Sequence, residues 1–356
     1  MRVKSKQIAG LGTAIKKITE HQSFGEILKV GVAVALIVVL CLQMFGAKEI
    51  NLQVLTAQFL EQLTFSNLYL VVLVLLLMPL NWAIENLKWL KLMQPVERVG
   101  FLKGLKAIFA GVTFSLFTPN RIGEYGGRVL LVSKDNRLNA VLATLVGSFS
   151  QWIVLVVSGF VGLLSFLLYQ DIVSNFVFWS IAVGSTAFSI GLFIAYFRIQ
   201  RLVERATQWK WTKKWALKVH ENVFRYYTRH ELLMALGYAF LRYLTYTFQY
   251  LLLLQFFGLG LTIPEGLMAI SIIFLIQTGI PLPPSTGLLA RGNVALFIFG
   301  LFISSSLLID TAILASTFSL WLINVALPAV VGALFIFKIG TKKTIETTHQ
   351  NTPSKI

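Results

Sequence analysis

Thr118-Pro-Asn-Arg-Ile-Gly-Glu-Tyr-Gly-Gly-Arg128 closes a twelve-residue apolar run, Ala107 to Thr118, and packs two arginines, a glutamate, a proline and three glycines into eleven residues. A helix of that run would rise about 18 Å, well short of the ~30 Å hydrocarbon core of a bilayer. Both flanks are basic: Lys91, Arg98, Lys103 and Lys106 before it, Arg121, Arg128, Lys134 and Arg137 after it. Basic loops stay on the cytoplasmic face, so the run is expected to enter from that face and return, as a re-entrant hairpin broken at Pro119. Irregular backbone at membrane depth survives only inside protein or beside water. The hairpin tip is therefore expected to line a cavity.

The rest of the chain supplies the membrane setting. Its 356 residues are 56% hydrophobic and 13% charged, with several apolar runs of about 20 residues, the length a spanning helix needs. The fold class is an all-α polytopic integral membrane protein of about seven to eight membrane segments. A membrane β-barrel would alternate apolar and polar residues, whereas Leu68 to Leu77 is continuously apolar. Cys41 is the single cysteine, which excludes an intramolecular disulfide. The net charge of +16 does not read as nucleic-acid binding, because nearly all of the 31 Lys and Arg fall in segments assigned to one side of the membrane.

Residues 1–26 read as a basic cytoplasmic leader and 27–338 as the transmembrane domain, opening with an uncleaved signal-anchor helix at Ile27 to Phe45. Residues 339–356 read as a cytoplasmic tail. Further helices are expected at Leu68 to Leu90, Asn139 to Leu168, Phe176 to Phe197, Leu232 to Phe257 and Thr311 to Phe337. Within 198–231, Trp211, Trp215, Val219 and Val223 recur beside lysines, the pattern of an amphipathic helix in the inner headgroup layer. On the second helix Asn81, Glu85 and Lys88 share a face, either as an interfacial end with snorkelling groups or as a cavity lining. Arg242, Tyr246 and Gln249 share a face of another. Arg242 lies deep enough to be functional or to be locked in an ion pair with Glu85 or Glu124.

A second interruption, Pro281-Leu-Pro-Pro-Ser-Thr-Gly287 followed by Arg291, splits residues 267–309. These residues either cross twice or form a second hairpin entered from outside, and the shortness of each half favours the hairpin. Interrupted segments in both halves of a chain are the mark of a midplane site between inverted repeats. Pro119, Arg121, Gly123 and Arg128 in one correspond in chemistry to Pro283, Pro284, Gly287 and Arg291 in the other.

On these residues the chain resembles the transmembrane domain of lysylphosphatidylglycerol synthases and the freestanding flippase-like proteins related to it. Pro119, Arg121, Gly123, Glu124 and Arg128 stand in the positions of that family's signature, and Gly287 and Arg291 match a later glycine-rich segment. The sequence departs where Gly292 replaces an acidic residue and where residues 147–154 replace a charged pattern. The resemblance spans most of residues 68–337. It implies lipid movement between leaflets without the aminoacyl-transfer domain.

The chemistry suits an anionic headgroup. Arg121, Arg128, Arg242 and Arg291 offer forked donors to phosphate, the glycines at 123, 126, 127 and 287 let backbone approach, and Glu124 is placed to hold Arg121 and Arg128. Asn81, Glu85, Tyr246 and Gln249 are cavity-lining candidates. The expected partners are membrane lipids with anionic headgroups; a homodimer is compatible with the small residues on the helices. No catalytic residue, cofactor or metal is expected: the four histidines lack ligand spacing and there is no phosphate-binding Gly-rich loop with Lys-Ser/Thr. The expected location is a bacterial-type inner membrane with both termini cytoplasmic. The other classes are a membrane-embedded transferase acting on a lipid-linked substrate and a scaffold whose arginines are structural.

Overall fold

The computed structural model describes residues 57, 60–65, 67–116, 118, 121–206, 227–280 and 287–337. The expected signal-anchor helix, Cys41, the tail and the amphipathic stretch at Trp211 to Val223 lie outside them. By contacts the chain divides into a unit of residues 48–332 and a second made of 1–47 with 333–356. The first carries the helices and the site described below, as far as residue 332.

Every regular element among the described residues is helical. In order these are α1 (Leu68–Met93), α2 (Phe101–Ser115), α3 (Gly123–Val129), α4 (Arg137–Gln170), α5 (Asn175–Phe197), α6 (Ile199–Ala206), α7 (Arg229–Phe256), α8 (Ile263–Thr278), α9 (Gly287–Phe299) and α10 (Leu307–Trp321). A π-helical turn, Leu322–Ala326, carries α10 on to Phe337. Among the described residues, four helices are long and apolar enough to cross a membrane: α1, α4 with its preceding turn, α5 and α10 with its extension. Helix α7 has the length, at 28 residues, but a more polar sequence. The chain is a polytopic membrane protein.

Local chemistry sets the boundaries. Thr228 with Glu231, and Thr262 with Glu265, form reciprocal capping boxes that start α7 and α8. Ser306 Oγ accepts from Ile309 N at the start of α10. Asp171 turns left-handed at φ 46° and ends α4.

Helix α4, 34 residues and so about 51 Å long, is the spine. Helix α8 runs antiparallel along its second half: Tyr169 donates to Glu265 at 2.9 Å, while a Cβ at Gly162 or Gly159 would run into Ser271 or Leu275. Helix α1 packs on its first half, where Trp89 Nε1 donates to Thr144 Oγ1 at 3.2 Å. Helix α7 lies antiparallel to α1, with Tyr227 donating to Leu92 O and Gln249 to Val74 O, both at 2.9 Å. Tyr250 ties the core together, packing on Phe274 of α8 and Phe299 of α9 and bonding Thr317 of α10.

Two helical hairpins start from opposite ends of α4. In the first, α2 and α3 fold back so tightly that a Cβ at Gly127 would strike the backbone of Gly111, and one at Gly123 that of Phe114. Its two ends are clasped at the start of α4, where Glu97 Oε2 accepts from Ser133 N, Ser133 Oγ and Asn136 Nδ2 at 3.2, 2.7 and 3.1 Å. In the second, Glu265 at the start of α8 and Leu301 just past α9 both meet the far end of α4, at Tyr169 and Gln170. Residues 267–309 thus leave and return to one end of α4, as both a double crossing and a hairpin would, and it is the shortness of the two helices that favours the hairpin. Helices of 16 and 13 residues rise only about 24 and 20 Å.

Candidate functional site

The α1 face carrying Asn81, Glu85 and Lys88 is the floor of the site. Glu85 is 4% exposed and Lys88 2%, so neither snorkels to an interface. Glu85 gathers three cations: Lys88 Nζ at 2.7 Å, Arg128 Nη2 at 2.9 Å and Arg242 Nη1 at 2.9 Å. A buried carboxylate is tolerable only when so paired, and here it neutralises one of the three charges around it.

Helix α3 supplies the next layer. Glu124 Oε2 accepts from Arg128 Nη2 at 3.1 Å, and Glu124 Oε1 lies 2.7 Å from Arg121 Nε, off the line of a hydrogen bond. Both arginines expected on Glu124 are there. Arg128 is 3% exposed, yet its Nε has no partner. Thr118 Oγ1 accepts from Gly123 N at 2.7 Å and secures the turn that presents them. At the tip, Arg121 has φ +57°, the left-handed region that disfavours a Cβ. An arginine held there is strained backbone at a charged tip.

Helix α7 brings Arg242, whose Nε donates to Asn81 Oδ1 at 3.1 Å and whose guanidinium sits 5.0 Å above the Trp82 ring. Asn81 in turn donates to Asn324 Oδ1 at 3.0 Å, and Asn324 lies in the π-helical turn of α10. Tyr246, one turn on from Arg242, lies within electrostatic reach of Arg242, Arg121 and Arg291. Arg291 of α9 is half-buried and lies near enough to Arg121 for the two charges to act on each other. Its side chain has no carboxylate partner among the described residues.

The first hairpin thus brings Arg121, Glu124 and Arg128 to Glu85 and Arg242, and the second brings Arg291 towards Arg121 and Tyr246. Of the remaining candidates, Gln249 points elsewhere, wholly buried and bonded to Val74 O. Gly123 and Gly127 serve the packing of α2 on α3, Gly126 faces open space, and Gly287 begins α9. Pro119, Pro283 and Pro284 lie outside the described residues. Sequence reasoning missed Trp82 and Asn324. The asparagine, an amide in an apolar 31-residue helix, was the available signal. Among the described residues no three His, Cys, Asp or Glu side chains gather as a metal would require.

Among the described residues, four guanidiniums stand against two carboxylates at the site. Even with Lys88 set aside, the site carries two positive charges more than it balances. A family model described as the lysylphosphatidylglycerol synthase TM region matches residues 27–326. No curated protein and no solved structure matches the chain.

Proposed function

The chain belongs to the lysylphosphatidylglycerol synthase TM region family, and we propose that it is a lipid translocase that carries an anionic headgroup past the hairpin arginines. The observation that supports this reading is the positive excess where the two hairpins converge. A phosphate taken alone into hydrocarbon is costly, and fixed donors at depth lower that cost. Arg121 and Arg291, neither of them tied to Glu85, receive the phosphate. Arg128 and Arg242, tied to Glu85, set the field behind them.

The orientation follows the charges. Lys91, Arg98, Lys103, Lys106, Lys134, Arg137, Arg198, Arg201, Arg205 and Arg229 gather around the end where α4 begins, whereas the charges around its other end are Glu61, Asp171, Glu265 and Asp310. The basic end faces the cytoplasm of an inner-membrane protein, and the C-terminus of α10 with it. Anionic membrane lipids are its partners. The test is leaflet exchange: purified protein in liposomes, compared with protein-free liposomes, should move a fluorescent phosphatidylglycerol to a quencher-accessible leaflet. Exchange no faster than in protein-free liposomes would refute the proposal.

A further inference from the structure

We infer that the headgroup taken by this site carries at least two negative charges, as a phosphomonoester or a diphosphate does, rather than the single charge of a phosphodiester. The inference rests on the translocase reading and sharpens its substrate class.

The balance of charge carries it. Glu85 is already shared among Lys88, Arg128 and Arg242, and Glu124 between Arg121 and Arg128. Among the described residues no other element packed around the cluster adds an acid near it. Helix α4 has no charged residue between Arg137 and Asp171, Glu265 and Asp310 sit at the far ends of α8 and α10, and α9 contributes only Arg291. Two guanidinium charges therefore await an anion. A phosphodiester would cancel one of them and leave the other, in a partly enclosed site, without a full countercharge. A dianion cancels both.

The donor inventory points the same way. Among the described residues, Arg128 Nε is buried without an acceptor, Arg121 Nε is poorly aligned to Glu124, Trp82 Nε1 is buried without an acceptor, and Arg291 has no carboxylate. A terminal phosphate offers three oxygens where a diester offers two unesterified ones. Among the described residues both carboxylates of the site are already engaged, so an ammonium group would find no free one. A zwitterionic or amine-bearing headgroup would bring a cation to a site already rich in them.

Binding to the full-length protein in lipid nanodiscs tests this with four lipid probes: phosphatidic acid, a polyprenyl diphosphate, phosphatidylglycerol and phosphatidylcholine, with inorganic pyrophosphate as a soluble probe. Phosphatidic acid and the diphosphate should bind about tenfold or more tightly than phosphatidylglycerol. Because the second ionisation of a phosphomonoester falls near pH 6, its advantage should grow between pH 5 and pH 8. Arg291→Gln and Arg121→Gln, both at partly exposed positions, should each erase most of the preference. Equal affinity for phosphatidic acid and phosphatidylglycerol, both above phosphatidylcholine, would overturn the two-charge inference while leaving an anionic-lipid site. Equal affinity for phosphatidylcholine would overturn both readings. Pyrophosphate binding as tightly as the lipids would replace the lipid headgroup with a soluble phosphate.

Discussion

Arg128 Nη2 donates to Glu85 Oε1 at 2.9 Å across 43 residues of chain, joining the first hairpin to α1. The same carboxylate binds Arg242 of α7 at 2.9 Å, so one acidic side chain holds three elements in register. Stability and the proposed site depend on that residue together.

Glu85→Gln should therefore be severe. It leaves the Arg242 guanidinium and the Lys88 ammonium without their countercharge and Arg128 with Glu124 alone, a loss of about 3–5 kcal/mol. Lys88→Met, which removes one of three cations and keeps an apolar stem of similar length, should cost much less. Thermal unfolding in detergent should rank them wild type, Lys88→Met, then Glu85→Gln. The reverse order would mean that Glu85 is not the hub.

The tip residue separates stability from activity. Arg121 occupies φ +57°, where a Cβ costs about 1–2 kcal/mol relative to glycine. Arg121→Gly and Arg121→Ala both remove the guanidinium, so both should lose lipid movement. The glycine variant should nevertheless be the more stable of the two by about 1 kcal/mol. Equal melting temperatures would show that the backbone there is unstrained.

Three glycines in one short helix should respond differently. Gly127→Ala pushes a Cβ into the backbone of Gly111, which cannot yield as a side chain would, so a loss of about 1–3 kcal/mol is expected. Gly123→Ala meets the backbone of Phe114 and should behave alike. Gly126→Ala meets nothing and should be neutral or slightly stabilising, given alanine's helix propensity.

Outside the spanning segments, Glu97 gives the first hairpin a pH dependence. Burial opposes its ionisation, but hydrogen bonds from Ser133 and Asn136, with Lys103 nearby, outweigh this and hold its carboxyl below the usual range. A carboxylate with a depressed folded pKa contributes stability above its unfolded value, near 4.5, and loses it as pH falls through the folded value. Glu97→Gln should cost about 1 kcal/mol at pH 7, and the difference from wild type should close towards pH 3. A difference unchanged with pH would remove the carboxylate from this role.

How far the sequence reveals this site depends on range. Helix limits emerge within a few residues because apolar runs and caps are local: Leu232 to Phe257 is expected and Arg229–Phe256 observed, Phe176 to Phe197 expected and Asn175–Phe197 observed. The breaks around Pro119 and Pro283 reveal both hairpins, since Pro and Gly act on their own backbone. The partners of Glu85 are less accessible. Spacing puts Asn81, Glu85 and Lys88 on one face but leaves open whether that face is wet or buried, because neighbours 43 and 157 residues away decide it. Gln249 shares its face with Arg242 by periodicity, yet it lies seven residues farther along α7 and meets Val74 O instead. Asn324 acts through a π turn, which no 3.6-residue pattern announces.

The most direct test measures leaflet exchange of fluorescent phosphatidylglycerol and phosphatidylcholine in liposomes containing wild type, Arg121→Gln, Arg291→Gln or the double variant. The expected result is faster exchange of the anionic lipid by wild type and loss of that preference in each variant, with unfolding temperatures close to wild type. Unchanged anionic exchange in the folded double variant would contradict a path that runs through the hairpin arginines.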